Sequence, residues 1–168
     1  SSEFKNLKVI DTGKSTMTGG RLLRLKPFFK KNENFFMTYG DGLCGLNLNN
    51  LIKFHNKHKN LASITAIHPP VRFGELKIKN NKVVKFDEKP ESQSSWINGG
   101  FFILNYKVFD YIKNDNTIFE REPLESISNK KKLMALKYEG FWKCMDNLGD
   151  KKLLDKMCKE NKKVPWIK

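Results

Sequence analysis

Apolar residues along the chain fall into short runs separated by turn-forming clusters, and the spacing within each run predicts its structure. Leu7–Ile10 reads as a short strand closing at Asp11-Thr12-Gly13. Arg21–Leu25 reads as a short helix that Pro27 stops soon after. Phe35-Phe36-Met37-Thr38-Tyr39 has strand character and stops at Gly40-Asp41-Gly42. Leu48, Leu51, Ile52 and His55 recur at helical spacing, with Asn47 placed as an N-cap, and Leu61–Ile67 is again a strand. This alternation of strand, helix and strand argues for a βαβ unit and a parallel core.

Beyond Pro69-Pro70 the pattern changes. Glu75–Ile78 and Val83–Phe86 flank Asn80-Asn81, a hairpin signal. Trp96–Leu104 carries Asn98-Gly99-Gly100 and then a buried strand. Helical patterns cover about Tyr106–Lys113 and Phe119–Ser128. Leu133–Tyr138 is a strand, Phe141–Met145 is an apolar run ending at Asp146, and Asp150–Glu160 is a closing helix. No internal repeat or linker divides the 168 residues, so the chain is expected to form one domain able to bury a core.

Charge changes this picture less than its size suggests. The net charge of +14 invites a polyanion-binding reading. Arginine occurs only at 21, 24, 72 and 121, however, leaving 28 lysines among the 32 basic residues. Those lysines are scattered, asparagine is abundant, and the aromatics fall in strand runs, so a nucleic-acid interface is not expected. The apolar runs are too short to span a membrane and no secretory signal is visible. Cys44, Cys144 and Cys158 form no CxxC pair; the odd count favours thiols in a reducing cytoplasm and core-filling roles.

Several positions could carry chemistry. In an open α/β sheet ligands bind beyond the carboxyl ends of strands. Asp41, between two glycines at such an end, and Asp146, in a similar setting, are the oxygen donors that Mg²⁺ prefers. Asp41 could equally cap a tight turn. Thr16-Met17-Thr18-Gly19-Gly20-Arg21 runs into a helix whose first amides could cradle phosphate, with Arg21 adding charge; an ordinary glycine turn is the alternative. Glu88-Lys89 could hold a sugar hydroxyl and a phosphate, or form a solvated turn. Asn98-Gly99-Gly100 could admit a ligand closely or mark a β-bulge. His55 and His58 lie three apart on one predicted helix. Neither they nor His68 have further ligands at zinc spacing, so His55 is assigned to the packed face and His58 to the surface.

In order, the chain carries Asp11-Thr12-Gly13, Thr16–Leu22, Tyr39–Gly42, His68-Pro69-Pro70, Arg72-Phe73-Gly74, Glu88-Lys89-Pro90, Trp96–Phe102, and Gly140-Phe141-Trp142 with Met145-Asp146. This succession strongly resembles the sugar-1-phosphate nucleotidyltransferases, and within them the branch that transfers a cytidylyl group to glucose 1-phosphate. The resemblance runs to Pro165-Trp166. It implies a Rossmann-like nucleotide-diphospho-sugar transferase fold, α/β, with a mixed, mostly parallel sheet and a β-hairpin. The family's opening strand and glycine-rich loop, of the type L-A-G-G-x-G-T-R-L, have no counterpart here. The chain is therefore expected to correspond to the C-terminal two-thirds of such an enzyme, an N-terminally incomplete catalytic domain of doubtful activity alone.

By resemblance, Asp41 and Asp146 bind Mg²⁺, Thr16, Arg21 and Gly40 lie near the nucleotide, and Lys89 holds the sugar phosphate. Glu88 meets the glucose hydroxyls, and Asn98 and Gly99 line the sugar pocket. Asp41 and Lys89 are the implied catalytic pair, and CTP and glucose 1-phosphate the implied partners. The resemblance also implies a cytoplasmic homo-oligomer serving deoxysugar and surface-polysaccharide synthesis. UTP or dTTP in place of CTP, or a non-catalytic sugar-nucleotide binding module, are the competing readings.

Overall fold

The structure is a computed structural model, and it describes residues 7–69, 74–88, 95–160 and 163–167. Its elements are α1 (Thr18–Leu25), β1 (Asn34–Thr38), β2 (Gly42–Cys44), α2 (Leu48–His58), β3 (Ala62–Ile67), β4 (Glu75–Lys79), β5 (Lys82–Asp87), β6 (Ile97–Asn105), α3 (Glu122–Asn129), β7 (Leu133–Lys137), β8 (Trp142–Cys144) and α4 (Leu148–Glu160). A 3₁₀ turn at Lys26–Phe28 follows α1, and a longer one covers Tyr106–Tyr111, where an α-helix was expected.

The central sheet has the order β1-β6-β3-β7. β6 is antiparallel to both β1 and β3, while β3 and β7 are parallel. Three of the four strands thus run one way. The expected βαβ unit exists as β1-α2-β3, but its strands are not neighbours, because β6 enters between them in the opposite direction. No local pattern can report such an insertion from 30 residues downstream.

Period-two alternation sorts the faces. Phe35 of β1, Ala62 of β3, and Phe102 and Leu104 of β6 join Leu22, Phe109, Phe119, Leu124 and Ile127 in one core. Phe102 is fully buried, a burial that contributes on the order of 2–3 kcal/mol. On the opposite face, Ser63 and Thr65 of β3 lie buried beneath α2, which inserts Leu51 and His55. α2 starts as its sequence predicts, with the Asn47 side chain accepting from the Asn49 amide at 2.9 Å. It stops at Lys59, which takes the left-handed φ of 52°.

The β4-β5 hairpin turns at Asn80 and Asn81, with φ of 49° and 64°, the signature of a type I′ turn. Leu7–Ile10 is not a strand: it pairs with nothing among the described residues, and Val9 is 90% exposed. α3 begins at Glu122, three residues later than expected, with Pro123 in its first turn. His58 is not a surface residue but half-buried on Ser63, and Cys158 is exposed rather than a core filler.

Candidate active site

β1 ends at Thr38, so Asp41 lies in a turn beyond the strand rather than on it. The chain then enters β2, which pairs antiparallel with β8. The ladder is extended by the Met145 amide, which donates to the Asp41 carbonyl at 2.9 Å. Asp146 follows immediately. Two carboxylates 105 positions apart in sequence are thereby brought to neighbouring backbone positions by two three-residue strands. The Trp142 indole ties this small ladder to the main sheet by donating to the Gly99 carbonyl at 2.8 Å.

The Asp146 loop has its own support. Cys144 Sγ donates to Asp146 Oδ2 at 3.0 Å, and the Asp146 amide donates to Asp150 Oδ2 at 3.2 Å. Asp150, at the start of α4, is in turn ion-paired to the largely buried Lys143 at 2.5 Å.

A cavity of about 590 Å³ opens beside Asp41. Arg21 and Thr18 of α1, Met37 of β1, Tyr39, Gly40, Asp41 and Glu120 are among its lining residues. Glu120 organises it. Its Oε2 accepts from Thr18 Oγ1 and its Oε1 from the Tyr39 hydroxyl, both at 2.6 Å. The Tyr39 oxygen also accepts from Asn98 Nδ2 at 3.2 Å, and Asn98 Oδ1 accepts from the Gly100 amide at 2.8 Å. One chain of hydrogen bonds therefore runs from the start of α1 to the start of β6. Burial pushes the Tyr39 hydroxyl well above its ordinary pKa of 10.0, and the bond to Glu120 pushes it further, so Tyr39 is a neutral donor.

The glycine loop behaves differently from a phosphate cradle. The amides of Met17, Gly19 and Gly20 donate to the carbonyls of Asp115 and Thr117, and Thr18 Oγ1 accepts from the Phe119 amide. The first turn of α1 is thus occupied by the 115–119 loop. A Cβ on Gly19 would stand 2.7 Å from the Thr117 carbonyl oxygen, so glycine is required by backbone packing. Thr16 is buried and does not line the cavity; Thr18 does. Arg21 lines it and donates to Thr12 Oγ1 at 2.8 Å and the Lys14 carbonyl at 3.3 Å, which leaves donors of its five to spare.

Asn98-Gly99-Gly100 is a bulge. The β3-β6 register shifts between Ile64 and Ala66, and Gly100 has φ of 82° with the Tyr39 ring packed where a Cβ would be. Glu88 is exposed at the end of the hairpin, its carboxylate over Gly74. Among the described residues no hydrogen bond joins it to Asn98, Gly99 or Asp41. Lys89 lies outside the described residues. Sequence reasoning missed Thr18, Tyr39 and Glu120 as members of the site. Tyr39 stood inside a quoted motif, but nothing near Glu120 signals a partner 81 positions away.

The chain is 46% identical over 161 residues to glucose-1-phosphate cytidylyltransferase of Salmonella typhimurium, covering 96% of this chain and 62% of that protein. It is 32% identical over 148 residues to mannose-1-phosphate guanyltransferase of Pichia angusta, covering 84% of this chain and 40% of that one. The chain thus spans under two-thirds of these relatives' lengths. Among solved structures, UDP-glucose pyrophosphorylase complexed with UDP-glucose shares the fold, with a TM-score of 0.61 at 14% identity over 89% of this chain and 66% of that one. The model of the family described as Nucleotidyl transferase matches residues 13–145, from the loop before α1 to the residue before Asp146, and the chain belongs to that family.

Proposed function

We propose that this chain carries the metal- and sugar-binding part of a CTP:glucose-1-phosphate cytidylyltransferase. The observation that carries the reading is the Met145–Asp41 backbone bond, which brings the backbone of Asp146 beside that of Asp41, a residue of the cavity wall. The 46% identity to the Salmonella enzyme favours CTP and glucose 1-phosphate over other pairs.

In the proposed reaction a phosphate oxygen of glucose 1-phosphate attacks the α-phosphorus of CTP. The new P–O bond forms as the bond to the bridging β-phosphate oxygen breaks, giving CDP-glucose and pyrophosphate. Catalysis is then positioning and charge neutralisation. Arg21 faces the cavity and supplies a fixed cation for the triphosphate. Asn98, held by Tyr39 and Gly100, is assigned with Gly99 to the sugar pocket. Lys89 and Glu88 are assigned to the sugar phosphate and sugar hydroxyls.

Asp41 and Asp146 are hard oxygen donors suited to Mg²⁺. Among the described residues no group of three or more His, Cys, Asp or Glu side chains is arranged to hold a metal ion, so phosphate oxygens and water would have to complete the shell. When bound, Mg²⁺ offsets the charge on the phosphates.

The test has two arms. Mn²⁺ titrated into the chain should broaden the amide resonances around Gly40–Gly42 and Met145–Asn147, and Asp41→Asn or Asp146→Asn should abolish this. Broadening that survives both substitutions refutes the metal assignment. Pyrophosphate release from CTP and glucose 1-phosphate should be absent for residues 1–168 alone. It should appear when a family-type N-terminal segment is joined to the chain, because β1 has one edge unpaired among the described residues. Equal turnover by both proteins would show that the nucleotide is held by other residues.

A further inference from the structure

At the end of the sheet remote from Asp41 a second cleft, of about 350 Å³, is lined by Asn34, His55, Lys59, Asn60, Asn105 and Lys107 among others, with Lys132 completing it. Strands rise about 3.3 Å per residue, so Asn105, closing β6, lies roughly 20 Å from Asn98, the second residue of that strand. The two clefts are therefore separate sites.

The lining is polar and its charge has one sign. Lys59, Lys107 and Lys132 come from the end of α2, the turn after β6 and the turn before β7. None of the three is ion-paired among the described residues, and no carboxylate among them lines the cleft. The nearest acid in sequence, Glu33, has Oε1 accepting from the Lys30 amide at 2.7 Å. Like charges gathered without a counter-charge raise the local potential and attract anions.

A buried network adds an oriented donor. The Asn60 amide donates to His58 Nδ1 at 2.9 Å, so neutral His58 carries its proton on Nε2, which donates to Ser63 Oγ at 2.8 Å. The single hydroxyl proton of Ser63 then goes to His55 Nδ1, also at 2.8 Å. Neutral His55 consequently keeps its proton on Nε2, and His55 lines the cleft while only 2% exposed. Burial lowers the pKa of both imidazoles, which keeps this proton order in place near neutrality. The side-chain amides of Asn34 and Asn60 offer further donors, whereas both N–H groups of Asn105 Nδ2 are engaged, by Asn34 Oδ1 at 2.8 Å and the Asn32 carbonyl at 3.3 Å.

We propose that this cleft is a second anion site, shaped for a small phosphate-bearing ligand, in which Lys59, Lys107 and Lys132 supply charge and His55 Nε2–H supplies a fixed donor. Its volume exceeds that of a lone phosphate and suits a phosphorylated metabolite or pyrophosphate.

The test is a ¹H–¹⁵N NMR titration with inorganic phosphate and, separately, pyrophosphate. It is run without divalent metal so that the carboxylate site recruits neither, with sodium chloride at matched ionic strength as the control. The N-terminally extended chain is titrated in parallel. Saturable shifts are expected at Lys59, Asn60, Asn105, Lys107 and Lys132 and at the His55 ring. Lys107→Glu should weaken binding at least about tenfold, and Lys132→Gln should weaken it less, since a contact to a charged group is lost or inverted. Shifts that never saturate and follow ionic strength overturn the proposal. So do shifts confined to Arg21 and Gly40, or affinity unchanged in both variants whose remaining spectrum is native. Loss of metal binding at Asp41 leaves these readings unaffected, so this site and the proposed reaction stand or fall separately.

Discussion

Removing the Glu120 carboxylate should loosen two elements together. Glu120 accepts from Thr18 at the start of α1 and from Tyr39 just beyond β1, both at 2.6 Å. Hydrogen bonds to a charged acceptor contribute about 1.5–3 kcal/mol each, and the partly exposed setting argues for the low end, so Glu120→Ala should cost roughly 2–4 kcal/mol. Tyr39→Phe removes one of these bonds and the contact to Asn98, and should cost about 1–2 kcal/mol. In a double-mutant cycle read by urea unfolding, Tyr39 and Glu120 should couple by at least about 1 kcal/mol, well above the 0.3–0.5 kcal/mol scatter of independent sites. A second readout is specific to the network. The Tyr39 phenol titrates above its ordinary value because burial, and then Glu120, disfavour the phenolate. In the folded state the proton is therefore held to higher pH than in the unfolded chain. Stability from this group is complete below about pH 10 and falls as pH rises beyond it. Glu120→Gln keeps the shape, removes the charge and should lower the phenol's titration midpoint in ultraviolet difference spectra. A midpoint identical to wild type, or additive stability losses in the cycle, would refute the argument that one carboxylate joins α1 to the Tyr39–Asn98 pair.

Two further outcomes follow from the α2 face of the sheet. Thr65 is fully buried and its hydroxyl has no partner among the described residues, so Thr65→Val should stabilise the fold by about 1 kcal/mol in urea; a loss of stability would reveal an unseen partner for the hydroxyl. His55 and His58 are both held below their ordinary value of 6.5 by burial, so the unfolded chain binds more protons than the folded one below that pH. Stability should be complete above about pH 6.5 and fall below it, by up to about 1.4 kcal/mol per pH unit for each imidazole. His58→Gln, which retains a donor for Ser63, should make that slope shallower, and an unchanged slope would exclude His58 from it.

Local features of this chain were legible in its sequence where one segment decides the outcome. The Asn80-Asn81 hairpin, the Asn47 cap of α2 and the buried run of β6 all follow from propensity and period, and the structure has them. The site was legible only in part, because its members meet through long-range pairing. Asp41 and Asp146 were picked out as carboxylates after apolar runs, but β2 and β8 are three residues each, too short to read as strands unaided. β6 enters between β1 and β3 against the alternation that suggested adjacent parallel strands.

Gly19-Gly20 shows where such reading stops. A missing Cβ lets something approach the backbone, and at a helix start that something can be phosphate or another stretch of chain. Both need the same residue at the same place. Here the amides of Gly19 and Gly20 donate to the Thr117 carbonyl at 2.9 and 3.3 Å, so the loop before α3 fills the position a phosphate would take. The same contact hands Thr18 to Glu120, and through Tyr39 to Asn98. The glycines therefore bear on the site by fixing where α1 sits, which in turn sets where Arg21 meets the cavity. A glycine motif identifies a close approach; only the partner, 98 residues further along the chain, identifies what approaches.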